Sequence, residues 1–364
     1  INLIRRDNPL PTACAMICEH PCEDRCRRTL IDAPLNIRGV KKYAVDQISA
    51  DKVEVPKANP LTGKKVAIIG GGPCGMTAAY FLSLMGHKVT VYEAKERLGG
   101  MLMYGIPNYR LPKERMDEDF RAILSTGNIK VKYNTVVGKD ISVRKVRESH
   151  DAMFIAIGAQ VGKKLHIDGI DAEGVFSAVE MLDRIGHGER PDYTGKVIAV
   201  IGGGNVAMDA ARSAVRCGAK EVHVIYRRRQ EDMTALASEI EAAVAEGIEL
   251  HLLQAPLRVE VDENNKCTAV WVKPQMTGPY KEGRPTPLDN PSKPEMRVAC
   301  DVVLNAVGQD VVSKPFEEAG IPAKRNIFIA GRDTHVENMP GVFVGGDCAT
   351  GPATAIRAIA AGKV

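Results

Sequence analysis

No run of about 18 apolar residues occurs in this 364-residue sequence, so no segment is long and apolar enough for a membrane-spanning helix. Aromatic residues make up only 5% of the chain, which disfavours a β-sandwich core or a base-stacking nucleic-acid surface. Charge of one sign is also scarce. The formal net charge is +4, and the basic tract Arg227-Arg228-Arg229 is short and isolated, so there is no phosphate-backbone footprint and no nucleic-acid partner is expected. The opening INLIRRDNPLP carries neither an initiator Met nor a signal-peptide pattern, and the final AIRAIAAGKV stops inside a helix-like stretch. The chain therefore reads as a piece of a longer polypeptide. No Ser–His–Asp or acid–base pair stands out. His20, His87, His223 and His335 read as structural or exposed, so no side chain is assigned a catalytic role.

What is present is a globular composition, 45% hydrophobic and 26% charged, at a length that suits two or three domains. Nine cysteines without an export signal imply a reducing, cytoplasmic setting, where clustered thiols are more often metal ligands than disulfides. Residues 1–60 carry a cysteine cluster, a helix-like stretch (VKKYAVDQIS) and the linker DKVEVPKANPLTGKK. A second block opens with KVAIIG and a third with KVIAVIG, and the two repeat one pattern of apolar strand, glycine turn, small-residue helix and apolar strand. The predicted elements are strand 66–69, helix 73–85 and strand 88–92, then strand 197–201, helix 205–217 and strand 221–226. Two βαβ units imply two nucleotide sites. A helix over 235–247, several strand-like runs and a polar, proline-rich loop at 277–295 follow.

Gly70, Gly72 and Gly75 form a G-x-G-x-x-G turn between strand and helix. The first glycine permits the tight turn, the second lets the backbone reach a pyrophosphate, and the third allows close helix packing, while the helix N-terminus favours phosphate. The second strand ends in Glu93, placed to accept from a ribose 2′-hydroxyl; a solvated strand-end acid is the plain alternative. The second copy, Gly202-x-Gly204-x-x-Ala207 with Asn205 and Val206 at the turn, ends instead in Tyr226 and the three arginines. A carboxylate there would repel a 2′-phosphate and guanidinium groups would hold it, so Arg227 and Arg228 point to NADP rather than NAD, against the alternative of a merely solvated loop. Tyr226 is either an adenine stacker or an ordinary strand-end tyrosine. Asp347, behind Gly346 in VFVGGDCATGP, sits where a carboxylate binds flavin ribityl or ribose hydroxyls. The strand ends at Gly158 and Gly308 resemble crossings between two nucleotide domains.

Cys14, Cys18, Cys22 and Cys26 are spaced by four. Such spacing lines one helix face, but Pro21 argues against a continuous helix, and Glu19, His20, Glu23 and Asp24 make the run too polar for a core. Structural zinc prefers paired cysteines with a long gap, and iron–sulfur ligation by thiolates with Arg25, Arg27, Arg28 and Arg38 nearby fits better; zinc and unligated thiols are the alternatives.

The strings NPLP–CAMIC–HPCEDRC–RR and LNIRGVKKYAVD, with ERLGGMLMYGIPNYRLPKE, VIGGGNVAMDAARSAVRCGA, VIYRRRQEDM and GVFVGGDCATGPATAIRAIAAGK, resemble the glutamate synthase small-subunit family, whose iron–sulfur module is shared with dihydropyrimidine dehydrogenase and the large subunit of the electron-bifurcating ferredoxin–NADP transhydrogenase. The resemblance covers essentially the whole chain. It implies an α/β fold class: two Rossmann-like, glutathione-reductase-type domains behind a small helical 4Fe-4S domain at 1–60. An FAD-binding domain would be split into 61–165 and 301–364, around an NAD(P)-binding domain at 166–300. It implies that Gly99, Gly100 and the Tyr104–Pro107 stretch lie near the flavin, with Thr354, Ala355 and Ile356 at a helix start facing it. It also implies up to two 4Fe-4S clusters with interleaved ligands and further cysteines before residue 1, so that the four cysteines need not share one cluster. Lys41 and Lys42 are unsuitable as a fourth ligand, which favours an all-cysteine set. Cys74 reads as a small buried residue. The implied activity is hydride exchange between NADPH and FAD and single-electron exchange between FAD and the cluster. The electrons would pass toward a glutamate synthase large subunit, a ferredoxin or subunits of a bifurcating complex. An iron–sulfur relay or scaffold without nicotinamide turnover is the alternative.

Overall fold

The computed structural model describes residues 1–48, 53–281 and 283–364. Ser49 to Lys52, where the expected linker begins, and Glu282 lie outside the described residues. Contacts divide the chain into two compact units, one of Ile1–Met103, Asn108–Gln160 and Asp310–Val364, the other of Tyr104–Pro107 and Val161–Gln309.

In the first unit, five parallel strands run in the order Val342–Val344, Ala152–Ile155, Lys65–Ile69, Lys88–Tyr92, Ile129–Lys132. Strand Lys65–Ile69 is buried from its second residue on, which is why it reads as an unbroken apolar run rather than an alternating one. Helix Pro73–Leu84 buries Ala78 and Ala79. Helix Ala355–Lys363 packs so closely on it that a Cβ at Gly362 would stand 2.2 Å from the Cys74 carbonyl. Phe316 and Phe328 meet edge-on at 5.6 Å in the core of this unit.

The cysteine-bearing segment is anchored to helix Lys113–Leu124 by a buried ion pair. Arg5 donates through Nη2 to Asp119 Oδ1 at 2.8 Å, and Asp119 also accepts from the Thr12 amide and hydroxyl, each at 3.0 Å. Burial pushes the Asp119 carboxyl up despite the neighbouring guanidinium.

The second unit has its own five-stranded parallel sheet, ordered Val175–Ser177, Val302–Asn305, Val197–Ile201, Glu221–Tyr226, Glu249–Leu252. Helix Asn205–Arg216 lays Ala207, Ala210, Ala211 and Ala214, all fully buried, on one face. An antiparallel sheet covers the other: Val259, Val270, Val272 and Val298 pack against Ala199, Ile201 and Ile225. The expected helix over 235–247 is found at Ala237–Ala245.

The stretch at 277–295 departs from the expected loop. Strand Cys267–Lys281 runs well into it and turns back as Arg284–Asp289 in an antiparallel hairpin. Prolines lack the N–H that a ladder needs, yet they are tolerated at bulges and edges. Pro279 falls at the register shift between Thr277 and Tyr280, and Pro285 and Pro287 lie on the edge strand.

Candidate functional site: two glycine loops and a cysteine segment

The two glycine loops share one hydrogen-bond scheme. In the first unit the Gly70 amide donates to Tyr92 O at 2.9 Å and the Ala156 amide to Ile69 O at 2.8 Å; in the second, Gly202 donates to Ile225 O at 3.0 Å and Ala306 to Ile201 O at 2.8 Å. Gly70 has φ +104° and Gly202 φ +147°. A Cβ on either would stand 2.4 Å from Ala156 O or 2.5 Å from Ala306 O. Only glycine fits both the backbone and the space. Gly75 is closed by packing, since its Cβ would meet the Gly70 carbonyl at 2.0 Å, whereas Ala207 fills the corresponding place in the second unit fully buried.

This scheme aligns Glu93 with Tyr226, because each follows the residue whose carbonyl the first glycine binds. Glu93 is 5% exposed. Its Oε2 accepts from the Gly71 amide at 2.7 Å and its Oε1 from the Lys95 amide at 2.8 Å, while burial raises its pKa. Each oxygen keeps a second lone pair, so a ribose hydroxyl can still be accepted. Tyr226 presses its ring on Gly203, where a Cβ would meet Cδ2 at 2.6 Å, and donates its hydroxyl to Asp232 O at 2.7 Å. It is therefore a packed strand-end residue, not a free stacking platform.

The three arginines separate. Arg229 is committed to Asp232 and Glu231 and donates to the Tyr280 hydroxyl. Arg228 donates through Nε to Pro285 O at 2.8 Å, leaving its terminal nitrogens. Arg227 is exposed and, among the described residues, has no carboxylate within salt-bridge distance. Gly204 opens helix Asn205–Arg216 without a side-chain cap, and the Asn205 side chain accepts from the Leu236 amide at 3.0 Å, bracing the turn rather than pointing free. Val206 packs against the core of this unit.

In the first unit Gly72, Pro73, Cys74, Gly100, Met101, Ile157, Gly158, Gln160, Gly345, Asp347 and Ala358 line one cleft. Asp347, pushed up to about 6 by burial, accepts from the Ala353 amide at 3.2 Å. Gly346, at φ +74°, lies over Cys74, whose Cβ would be 2.9 Å from an added methyl. Thr354 and Ala355 begin helix Ala355–Lys363, whose start has no side-chain cap, and Ala358 reaches the cleft. Glycine approach, uncapped helix start and buried carboxylate suit a flavin nucleotide. Burial raises the Cys74 thiol well up and Cys348 to about 12, so both are inert as nucleophiles. Met101, Ile157, Gln160 and Ala358 had no sequence signal beyond the small-residue strand end at Gly158.

The cysteine run is not one helix. Helix Pro11–Ile17 ends before Cys18, His20 takes a left-handed conformation (φ 41°), and Pro21 starts a separate turn, Pro21–Asp24. Cys14 is buried, with its thiol raised to about 11; Cys18 and Cys26 are half-buried and Cys22 is exposed. The His20 amide donates to Cys18 Sγ at 3.4 Å, and Arg38 donates to Cys18 O at 3.2 Å, while Arg28 is paired with Asp32. Among the described residues, no three of these thiols lie within 4.8 Å of one another. A single tetrahedral zinc with its bonds of about 2.3 Å would draw sulfurs to within roughly 3.8 Å. An amide donor to the Cys18 sulfur and the positive charge of Arg38 beside it suit an anionic iron–sulfur cluster.

The pyridine nucleotide-disulphide oxidoreductase family matches residues 64–362, and the family of dihydropyrimidine dehydrogenase domain II, 4Fe-4S cluster, matches residues 1–53. The chain is 37% identical over 99% of its length to the NADP(+)-dependent formate dehydrogenase subunit beta of Moorella thermoacetica, covering 54% of that protein. It is 36% identical to the NADPH-Fe(3+) oxidoreductase subunit beta of Geobacter sulfurreducens, covering 57% of it, so it spans little more than half the length of these relatives. With the glutamate synthase [NADPH] small chain of Escherichia coli it shares 32% identity over 99% of its own length and 80% of that chain. Among solved structures, Mycobacterium tuberculosis FprA in complex with NADPH aligns over 84% of this chain and 83% of that one, with a TM-score of 0.69 at 19% identity. Lactococcus lactis thioredoxin reductase gives 0.62 at 21% identity over 82% and 95%, and both show the shared fold. The cofactor set is FAD, NAD(P) and 4Fe-4S. The chain belongs to the pyridine nucleotide-disulphide oxidoreductase family and carries a 4Fe-4S domain at its N-terminal end.

Proposed function

We propose that this chain is the nicotinamide-, flavin- and iron–sulfur-bearing module of a larger electron-transfer protein in the cytoplasm. Residues 61–160 and 310–364 would hold FAD, 161–309 NADP, and 1–60 the cluster. When bound, these groups supply hydride transfer between nicotinamide and flavin and one-electron exchange between flavin and cluster.

The chain's own residues bind and orient. The Gly70–Gly75 turn and the helix start at Thr354 and Ala355 receive the flavin nucleotide, with Glu93 and Asp347 accepting from its hydroxyls. The Gly202–Val206 turn receives the dinucleotide, with Arg227 and the free end of Arg228 at its 2′-phosphate. Cys14, Cys18, Cys22 and Cys26 offer thiolates, and the backbone around Cys18 donates to sulfur. The observation that carries the reading is the aligned pair: a buried carboxylate at Glu93 in one loop, Tyr226 followed by a guanidinium at Arg227 that is unpaired among the described residues in the other. Intact geometry in both loops favours turnover over a relay lacking its own nicotinamide reaction.

The partner is of the kind that accepts single electrons: a ferredoxin, a glutamate synthase large subunit or subunits of a bifurcating complex. The test is anaerobic purification of the full chain, with flavin and iron counted, followed by titration with NADPH and with NADH. Bleaching of flavin absorbance by NADPH at lower concentration than by NADH is expected; no bleaching by either defeats the reading.

A further inference from the structure

Away from both glycine loops, on the sheet of the second unit, three donors converge. His223 and Glu249 are register partners on neighbouring parallel strands, and His251 lies two residues beyond Glu249 on the same face. His223 Nδ1 is 3.0 Å from His251 Nε2 and 3.3 Å from a Glu249 carboxylate oxygen, and His251 Nε2 is 3.5 Å from the other. Among the described residues this is the only grouping of three His, Cys, Asp or Glu donors within 4.8 Å of one another.

These spacings are those of a chelate. Zinc-to-ligand bonds of about 2.1 Å set at tetrahedral angles put neighbouring donors roughly 3.4 Å apart. Two imidazole nitrogens and one carboxylate are a borderline donor set suited to Zn2+ and neighbouring divalent ions. The remaining nitrogen of His223 faces Glu221 at 3.8 Å, the place of the outer carboxylate that orients a ligating histidine. The imidazoles are sheltered, at 13% and 19% exposed, while Glu249 at 65% leaves the site open to entry.

We propose that His223, Glu249 and His251 form a binding site for a divalent transition-metal ion of the zinc class, with a fourth position open to solvent. An ion here would join the edge strand Glu249–Leu252 to Glu221–Tyr226, the strand that delivers Tyr226 and Arg227.

The experiment uses the full chain purified anaerobically with its own cofactors and titrates it with Co2+, with Zn2+ as competitor. The expected result is uptake of one Co2+ with ligand-field bands but no sulfur-to-cobalt charge transfer. That Co2+ should be displaced by Zn2+ and bound about tenfold or more weaker by Glu249→Gln and by His251→Gln. Glu221→Gln should weaken it by about tenfold, the cost of losing an outer partner. Glu249 is exposed, so its variant reports even where the histidine variant fails to fold. Absence of such uptake, uptake showing only sulfur charge transfer, or affinity unchanged in Glu249→Gln overturns the proposal.

Discussion

Glu93 clamps the Gly71 amide at 2.7 Å, and the residue that stands in its place in the second unit, Tyr226, clamps Gly203 with its ring. One structural task, fixing the middle glycine of the turn, is done by a charged group in one unit and by an apolar one in the other. The exchange removes a negative charge from the second loop and brings Arg227 to the strand end.

Glu93→Gln is expected to retain the fold and loosen the flavin. A single amide oxygen cannot serve both the Gly71 and Lys95 amides, and a buried donor left unpaired costs about 1–3 kcal/mol. Flavin affinity, read by fluorescence titration of the apo-protein, should fall by about ten- to a hundredfold, with a smaller loss in thermal stability.

Replacing Arg227 and Arg228 together by Ala should raise the KM for NADPH by about two orders of magnitude or more, from charge-assisted bonds worth about 1.5–3 kcal/mol each, and leave that for NADH nearly unchanged. Arg229→Ala should behave differently, because Arg229 is spent on Asp232 and Glu231. Its effect should fall on both nucleotides alike. Steady-state kinetics with each nucleotide checks both statements.

Glu246 accepts from Arg216 and Arg212, which hold its carboxyl down at about 2. The folded value lies below the ordinary unfolded one of about 4.3, so its contribution is whole above that pH and is lost as pH falls toward 2. With solvent screening the term is on the order of 1 kcal/mol. Denaturant melts of wild type and Glu246→Gln should therefore diverge above pH about 4.5 and converge at pH about 2.

Arg5 and Asp119 should be costly to separate and cheap to remove together. Arg5→Met or Asp119→Leu alone strands a buried charge, at about 3–5 kcal/mol, while the double variant should recover most of that loss. Limited proteolysis within residues 1–48 should accelerate in each single variant and return toward wild type in the double.

Much of this was legible because it is local. Strand, glycine turn and small-residue helix lie within thirty-odd residues, and both βαβ units form within a residue of the expected bounds, whereas the inserted unit, expected at 166–300, runs from Val161 to Gln309 and takes in Tyr104–Pro107. That Tyr226 packs on Gly203 as Glu93 binds Gly71 was not, since the spacing from first glycine to strand end differs by one residue between the copies and only the hydrogen bonds align them residue by residue. The hairpin at 277–295 was hidden by prolines that mark a loop in sequence and an edge in space. The company kept by His223, Glu249 and His251 depends on the register of two strands, which periodicity does not set. The break at Pro21 was readable, but not the left-handed turn at His20 that accompanies it.

The hairpin edge carries a consequence for assembly. Along Arg284–Asp289, Pro285 and Pro287 withhold two of the donors that an incoming strand would need. The antiparallel sheet is thus blunted there against growth by another chain. A companion protein that settles on this side must be recognised by its side chains, not by continuing the ladder, and the fold is guarded at that margin against self-association.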